Sequence, residues 1–279
     1  MGRKFLLRLV FSIIAGAVLA TVFLYRIRIK SAVEDFSKPN LPQEKTIAEF
    51  VDNSAAPPDA AKTPVKSPAP SLPPDVTPPA VTPPPEPPTS TAVNLAIPFG
   101  SQAPFGNWEL PYQEACEEAS IIMAHRYLAG QTLTPTIMDE EILKLIEWEK
   151  KKFGYFEDTT AEEIARTLRE YFEHDRVEVR YQFTIDDIKR EVAAGHPVIL
   201  PAAGRLLPNP NFRSPGPVYH ALVVKGFTQN KIITNDPGTR NGHNFLYDPQ
   251  ALMNAIHDWN PKNILEGRPV IIVVYPVKR

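Results

Sequence analysis

Fourteen of the 31 prolines in this 279-residue chain fall between residues 57 and 88, in runs such as Pro83-Pro84-Pro85-Glu86-Pro87-Pro88. Proline has a fixed φ and no backbone N–H, so such a stretch can enter neither a helix interior nor a sheet ladder. Mixed with Ala, Thr, Ser, Val and Asp, it has no apolar core to bury, and a polyproline-rich extended spacer is expected. The chain therefore divides into residues 1–30, a disordered Pro-rich linker over 31–92, and a globular part over 93–279. At about 3.1 Å per residue, the linker would act as a stalk holding that domain on the order of 100 Å from what precedes it. A docking site for a proline-binding partner is the alternative use of the same composition.

Residues 5 to 25 are apolar apart from Arg8, two hydroxyl residues and Tyr25. At about 1.5 Å per residue this run nearly matches a hydrocarbon core of roughly 30 Å, and Arg8 lies close enough to its end to snorkel. A single membrane-spanning anchor is expected, with the N-terminus inside. Basic residues flank both ends, so the positive-inside rule does not choose the orientation cleanly. A cleaved signal peptide ending near Val18-Leu19-Ala20 is the alternative. Either way the C-terminal domain is expected to be extracytoplasmic.

A formal net charge of −2, with no basic stripe interleaved with aromatics, argues against a nucleic-acid binder. No glycine-rich phosphate loop, CxxC pair or HExxH helix is present, so no cofactor and no metal are expected. The expected state is a monomer.

From Asn94 onward the pattern is helix-rich first and strand-rich later, which reads as α+β. A short entry strand is expected over 95–98. Helices are expected over Pro111–Leu128, over 135–151, from a capping box at Thr159–Glu162 to about Phe172, over 184–195 and over 249–259. Strands are expected over 177–182, 198–202, 219–227, 231–235 and 269–277.

Cys116 is the only cysteine, so it has no partner for an internal disulfide. Near a helix N-terminus, unpaired amides and the helix dipole can stabilise a thiolate and bring a thiol pKa from about 8.5 to roughly 3.5–7.5. Glu114, Glu117 and Glu118 crowd this cysteine. They are expected to be solvated, where acids favour a helix start. A small buried packing residue is the plainer account of Cys116.

A cysteine nucleophile needs a base, and His220 opens the strongest strand, His220-Ala-Leu-Val-Val-Lys-Gly-Phe227. A three-residue loop flanked by Gly226 and Asn230 would place Asp236 directly across the hairpin from His220, where a carboxylate can set the imidazole's tautomer. A two-residue turn would slip the register and put Asp236 opposite Ala221, leaving Asn235 as a less favoured orienter. Asp236-Pro237-Gly238 is also an ordinary turn sequence. His125 falls about 13 Å beyond Cys116 along the helix, too far to act directly. Trp108 and the loop from Leu207 to Pro217 would flank a substrate groove or simply pack.

Four motifs in this order, Ile97–Trp108, Tyr112–Ser120, Tyr219–Gly226 and Asn235–Gly238, resemble those of the cysteine peptidases of family thirty-nine, the bacteriocin-processing group. The resemblance covers about residues 94–277. It implies a papain-like fold, with Cys116 as nucleophile, His220 as general base, Asp236 as orienter and a glutamine in the oxyanion hole. The Ser-Gln pair matches that glutamine to Gln102; Gln113 is the rival. The transporter regions to which bacteriocin-processing domains are joined have no counterpart in the sequence, so leader-peptide trimming is not implied. The expected function is a membrane-tethered extracytoplasmic cysteine peptidase or amide hydrolase acting on a peptide or protein. The alternatives are a cell-wall peptide amidase or transpeptidase on the same fold, and a surface-displayed binding module without turnover.

Overall fold

Residues 40–54 and 92–276 are described in the computed structural model of the chain. They form a mixed fold in which helices cover an eight-stranded sheet that is antiparallel apart from one edge pair. The first elements are β1 (Glu44–Lys45), α1 (Ile47–Ser54) and β2 (Val93–Leu95). The helical half follows as α2 (Cys116–Leu128), α3 (Pro135–Lys152) and α4 (Ala161–Glu170). Then come β3 (Val177–Arg180), α5 (Ile185–Ala193), β4 (Val198–Ala203), β5 (Tyr219–Phe227) and β6 (Ile232–Asn235). The domain closes with β7 (Phe245–Tyr247), α6 (Pro249–Ala255) and β8 (Ile271–Val274). The expected α+β class is what the chain adopts.

The helix starts follow side-chain chemistry. Thr134 accepts from the Ile137 N–H ahead of Pro135, and Thr184 with Asp187 makes a reciprocal capping box. The box expected at Thr159 lies one residue later, between Thr160 and Glu163. Helix α2 does not begin at Pro111. Tyr112–Glu114 form a separate 3-10 turn and Ala115 breaks the helical conformation at φ −100°, ψ 30°, so Cys116 is the first helical residue. Every residue of α2 from Cys116 to Ala124 is buried, between strands β4 and β5 on one side and α3 and α4 on the other. A helix buried all round has no solvated face to offer its acids.

Strand β5 is the axis of the sheet, antiparallel to β4, to β6 and to the short β2. The β5–β6 turn has two central residues, Gln229 and Asn230, closed by the Thr228 N–H donating to the Lys231 carbonyl at 2.8 Å. Pairing starts as Phe227 with Ile232 and Gly226 with Ile233. A bulge at Lys225 then moves it to Val224 with Thr234 and Val223 with Asn235. Continued by one residue, that register places Asp236 opposite Leu222. The direct His220–Asp236 pairing expected from a three-residue loop is thus corrected.

The linker expected over 31–92 is corrected at its N-terminal end. Residues 42–54 belong to the same compact unit as the rest of the domain. Strand β1 runs parallel to β2, with Glu44 beside Asn94 and Lys45 beside Leu95. Phe50 of α1 packs on the core, its ring against Gly195. The buried Lys225 of the β5 bulge donates to the Glu44 carboxylate and to the side-chain Oδ1 of Asn244, the latter at 2.9 Å. The physical reason is local: Thr46 and Glu49 form a helix-start box, and Ile47 and Phe50 supply an apolar face. The proline-rich run over 57–88, expected as a stalk, lies outside the described residues. The expected membrane span over 5–25 lies outside the described residues. Among the described residues no helix is long and apolar enough to cross a membrane.

Candidate active site

The first turn of α2 packs against β5 and brings Cys116 close to the backbone of Ala221, the neighbour of His220. The Cys116 side chain is 6% exposed. Its thiol donates to Glu117 Oε2 at 2.9 Å, while Glu117 Oε1 accepts from the Thr159 N–H at 2.9 Å. Burial pushes the thiol pKa well above its ordinary value, with the charge of Glu117 and its hydrogen bond adding to the rise. Only the Ala221 amide opposes it appreciably. The thiolate-favouring helix start expected from the sequence is outweighed by desolvation and by neighbouring carboxylates.

Glu117 and Glu118 are both buried, which corrects the expectation that they are solvated. The cause is the enclosure of α2 on every side. Glu118 faces Glu149 of α3, and burial raises both carboxyls, Glu149 to about 8. Two carboxyls so placed are best satisfied by a proton held between them.

His220 lies opposite Ala202 of β4 and is 1% exposed. Its Nε2 lies 2.8 Å from Asp236 Oδ1. Asp236 also accepts from the Gly238 N–H at 3.0 Å, from the Tyr247 hydroxyl at 2.6 Å and from Asn209 Nδ2 at 2.9 Å. Burial alone would raise the Asp236 carboxyl, but the imidazole and these donors outweigh it and hold the carboxyl below its usual range. An ionised carboxylate only accepts, so the proton of a neutral His220 belongs on Nε2 and Nδ1 is left as the basic nitrogen. Phe212 meets the imidazole edge to face, with ring centroids 5.3 Å apart. A Cβ at Gly238 would stand 2.7 Å from His220 Cε1, so glycine there is a condition of the imidazole's placement.

The structure brings His220 and Asp236 into direct contact, and Cys116 onto the neighbouring element. Sγ makes its hydrogen bond to Glu117, not to His220. Gln102 is buried, and its amide nitrogen donates to the Tyr112 and Gln113 carbonyls at 2.9 and 3.0 Å. Its backbone N–H donates to the Pro237 carbonyl at 3.0 Å. It therefore ties the turn before Cys116 to the turn after Asp236, and both of its amide hydrogens are engaged. Gln113 is exposed, with its amide donating to Glu114 at 3.0 Å.

Beside these residues lies a cavity of about 920 Å³, lined among others by Phe99, Phe105, Trp108, Gln113, Arg213 and Gly238. Trp108 and Asn211, from the loop after Leu207, both face it, so both segments border a groove. Residues absent from the sequence reading are Asn209, Tyr247, Phe212 and the thiol-binding role of Glu117. The acidic neighbours of Cys116 were the one signal available for the last of these. Among the described residues no group of three or more His, Cys, Asp or Glu is arranged to hold a metal ion.

Residues 94–270 match the Peptidase_C39 like family. The chain belongs to this family. The resemblance of its four motifs to the cysteine peptidases of family thirty-nine is thereby borne out, and the chain is a cysteine peptidase by family. Among solved structures, a C39-like peptidase from Bacillus anthracis is similar at 18% identity. The match covers 68% of this chain and 100% of that one, with a TM-score of 0.47. No curated protein matches the chain. As a C39-like family member, the chain carries its helix-start cysteine, its strand-start histidine and the Asp-Pro-Gly turn inside the matched region.

Proposed function

We propose that the chain hydrolyses peptide or amide bonds through Cys116 as nucleophile and His220 as base, with Asp236 holding the imidazole. The observation that carries this is the buried His220–Asp236 pair, whose carboxylate is fixed by three further donors and whose Nδ1 is the basic nitrogen. Such a pair, on the strand against which the cysteine-bearing helix packs, is what nucleophilic catalysis by a thiol requires. Sγ attacks the scissile carbonyl as its proton passes to His220 Nδ1. His220 returns the proton to the leaving amine as the C–N bond breaks, then takes one from the water that hydrolyses the thioester. The Cys116 amide, first of its helix and lacking an intrahelical acceptor, is a donor for the oxyanion. Gln102 would join it by releasing a carbonyl; Gln113 has an amide hydrogen free to do so.

The cavity suits a peptide. Its aromatic wall accepts an apolar side chain, and the side chains of Arg213 and Arg240, exposed and without an ion pair among the described residues, suit an acidic group. The apolar run over residues 5–25 would tether the enzyme in the membrane with its domain outside, where a cell-wall peptide is one accessible substrate.

A second reading, a binding module without turnover, is favoured by one observation, the bond from the thiol to Glu117 in place of His220. The test is incubation of wild type and Cys116→Ala with a mixed peptide digest followed by mass spectrometry. Cleavage by wild type alone is expected. Equal cleavage by both would overturn the assignment, and no cleavage by either would favour the binding module.

A further inference from the structure

We infer that Glu117 is a positioning residue that sets the reactivity of Cys116: its carboxyl group keeps the thiol proton, and the nucleophile forms when Sγ leaves Glu117 for Nδ1 of His220. The inference rests on the assignment of Cys116 as nucleophile and His220 as base, and it adds a control that the assignment does not contain.

The geometry is specific. Glu117 is adjacent to Cys116 in sequence yet buried with it, and its two oxygens have separate tasks. Oε1 is pinned by the Thr159 N–H at 2.9 Å, which fixes the carboxyl plane, and Oε2 is left to meet the thiol at 2.9 Å. A carboxyl present only to cap the helix would be expected in solvent. This one has been desolvated and aimed at the sulfur.

The surroundings set the direction of the effect. Beside the thiol stand Glu117 and Glu118 from its own helix and Tyr219 and the Ala221 amide from β5; Asp158, from the segment before α4, lies near Glu117, Glu149 of α3 lies behind Glu118, and His220 is the chain neighbour of Ala221. All of these are acidic or neutral except His220. A negative sulfur there is disfavoured first by burial and then by the Glu117 carboxyl and its hydrogen bond, and burial raises that carboxyl well above its own ordinary value as well, so the thiol is the stable form there. Beside His220, the same proton moves from Sγ to Nδ1, and the thiolate gains an imidazolium already backed by Asp236. Sulfur loses a proton and nitrogen gains one, while the Glu117 carboxyl keeps its protonation state and loses one hydrogen bond.

The chain has a single cysteine, so alkylation reports on this thiol alone. With full-length protein and iodoacetamide, Glu117→Gln is expected to raise the alkylation rate at neutral pH roughly tenfold or more, and to lower the midpoint of its pH profile. His220→Ala on top of Glu117→Gln is expected to remove the gain. A rate for Glu117→Gln equal to or below wild type, in protein with an unchanged unfolding temperature, overturns the role of Glu117. A gain that survives His220→Ala overturns instead the assignment of His220 as base, which keeps the two failures distinct. Because Glu117→Gln also weakens the bond to Thr159, wild type gives an independent check through the ultraviolet absorbance of the thiolate. A titration midpoint above that of a free thiol, about 8.5, is expected, and one at or below it overturns the inference.

Discussion

Asp236 sits on the same face of the sheet as His220 because β5 carries one extra residue at Lys225. Before the bulge, paired residues such as Gly226 and Ile233 share one register; after it, Val224 and Thr234 share another, displaced by one. Without that displacement Asp236 would stand opposite Val223 and point to the other side of the sheet. With it, Asp236 lies opposite Leu222 and is a diagonal neighbour of His220, close enough for the 2.8 Å bond. Deleting this carboxylate should disable the base. Asp236→Ala is expected to lower the second-order rate of peptide hydrolysis on the order of 100-fold or more, measured against wild type at neutral pH.

Tyr247 contributes one of four donors to the same carboxylate, through a 2.6 Å bond. Tyr247→Phe keeps the ring and removes only the hydroxyl. A stability loss of about 1 kcal/mol is expected in chemical denaturation, with a rate loss far smaller than that of Asp236→Ala.

Gly238 admits the imidazole at a distance that no Cβ tolerates, 2.7 Å to Cε1 and 3.0 Å to the Phe212 ring. Gly238→Ala must push His220 or Phe212 aside. The expected cost is about 1–3 kcal/mol in stability, with a fall in kcat that exceeds any rise in KM. Unchanged kinetics would show that the imidazole is not held where it must act.

The buried acids predict a pH profile of stability. Glu149, raised to about 8, and Glu118, raised beside it, take up protons more readily when folded, so their contribution is present below about pH 4.3 and is lost as pH rises through the folded values. His125, lowered to about 4 by burial and by His174, works in the opposite sense. Its contribution is present above about pH 6.5 and is lost as pH falls towards 4. Above about pH 6.5 the contribution of His125 is complete, and the raised acids are expected to lower the unfolding temperature as pH rises to about 8. Glu149→Gln should flatten that decline, as read by thermal scans across the interval.

Much of the candidate site's arrangement can be read from the sequence, for definable reasons. Cys116 and His220 stand out by lying near the starts of strongly patterned elements, and the Asp-Pro-Gly turn marks where β6 stops. The register between them was not legible, because a bulge depends on what a side chain finds in space. Lys225 interrupts the apolar run of β5 and departs from the pattern only because Glu44, far away in sequence, is there to meet it. The burial of Glu117 and Glu118 was hidden for a similar reason. Acids in a first helical turn ordinarily face water, and only the packing of α3, α4 and β5 around α2 denies them that. The arm over residues 42–54 is obscured for the opposite reason, since its Thr46–Glu49 pair stands beside a composition that argues for a linker.

Lys225 has no exposure and is held by Glu44 and Asn244. Glu44→Ala leaves this cation buried with a single partner. A loss of roughly 1–3 kcal/mol is expected in denaturant unfolding, reduced because Glu44 is itself partly exposed.

The parallel pairing of β1 with β2 gives the fold an arm whose covalent attachment and whose seat are separate things. A protease that cuts once between residues 54 and 92 would remove no strand from the sheet. It would turn the arm from a part of the chain into its ligand, held by contacts that include β1, Ile47, Phe50 and Glu44. What had been guaranteed by connectivity would then depend on concentration, and dilution would become a means of unseating it.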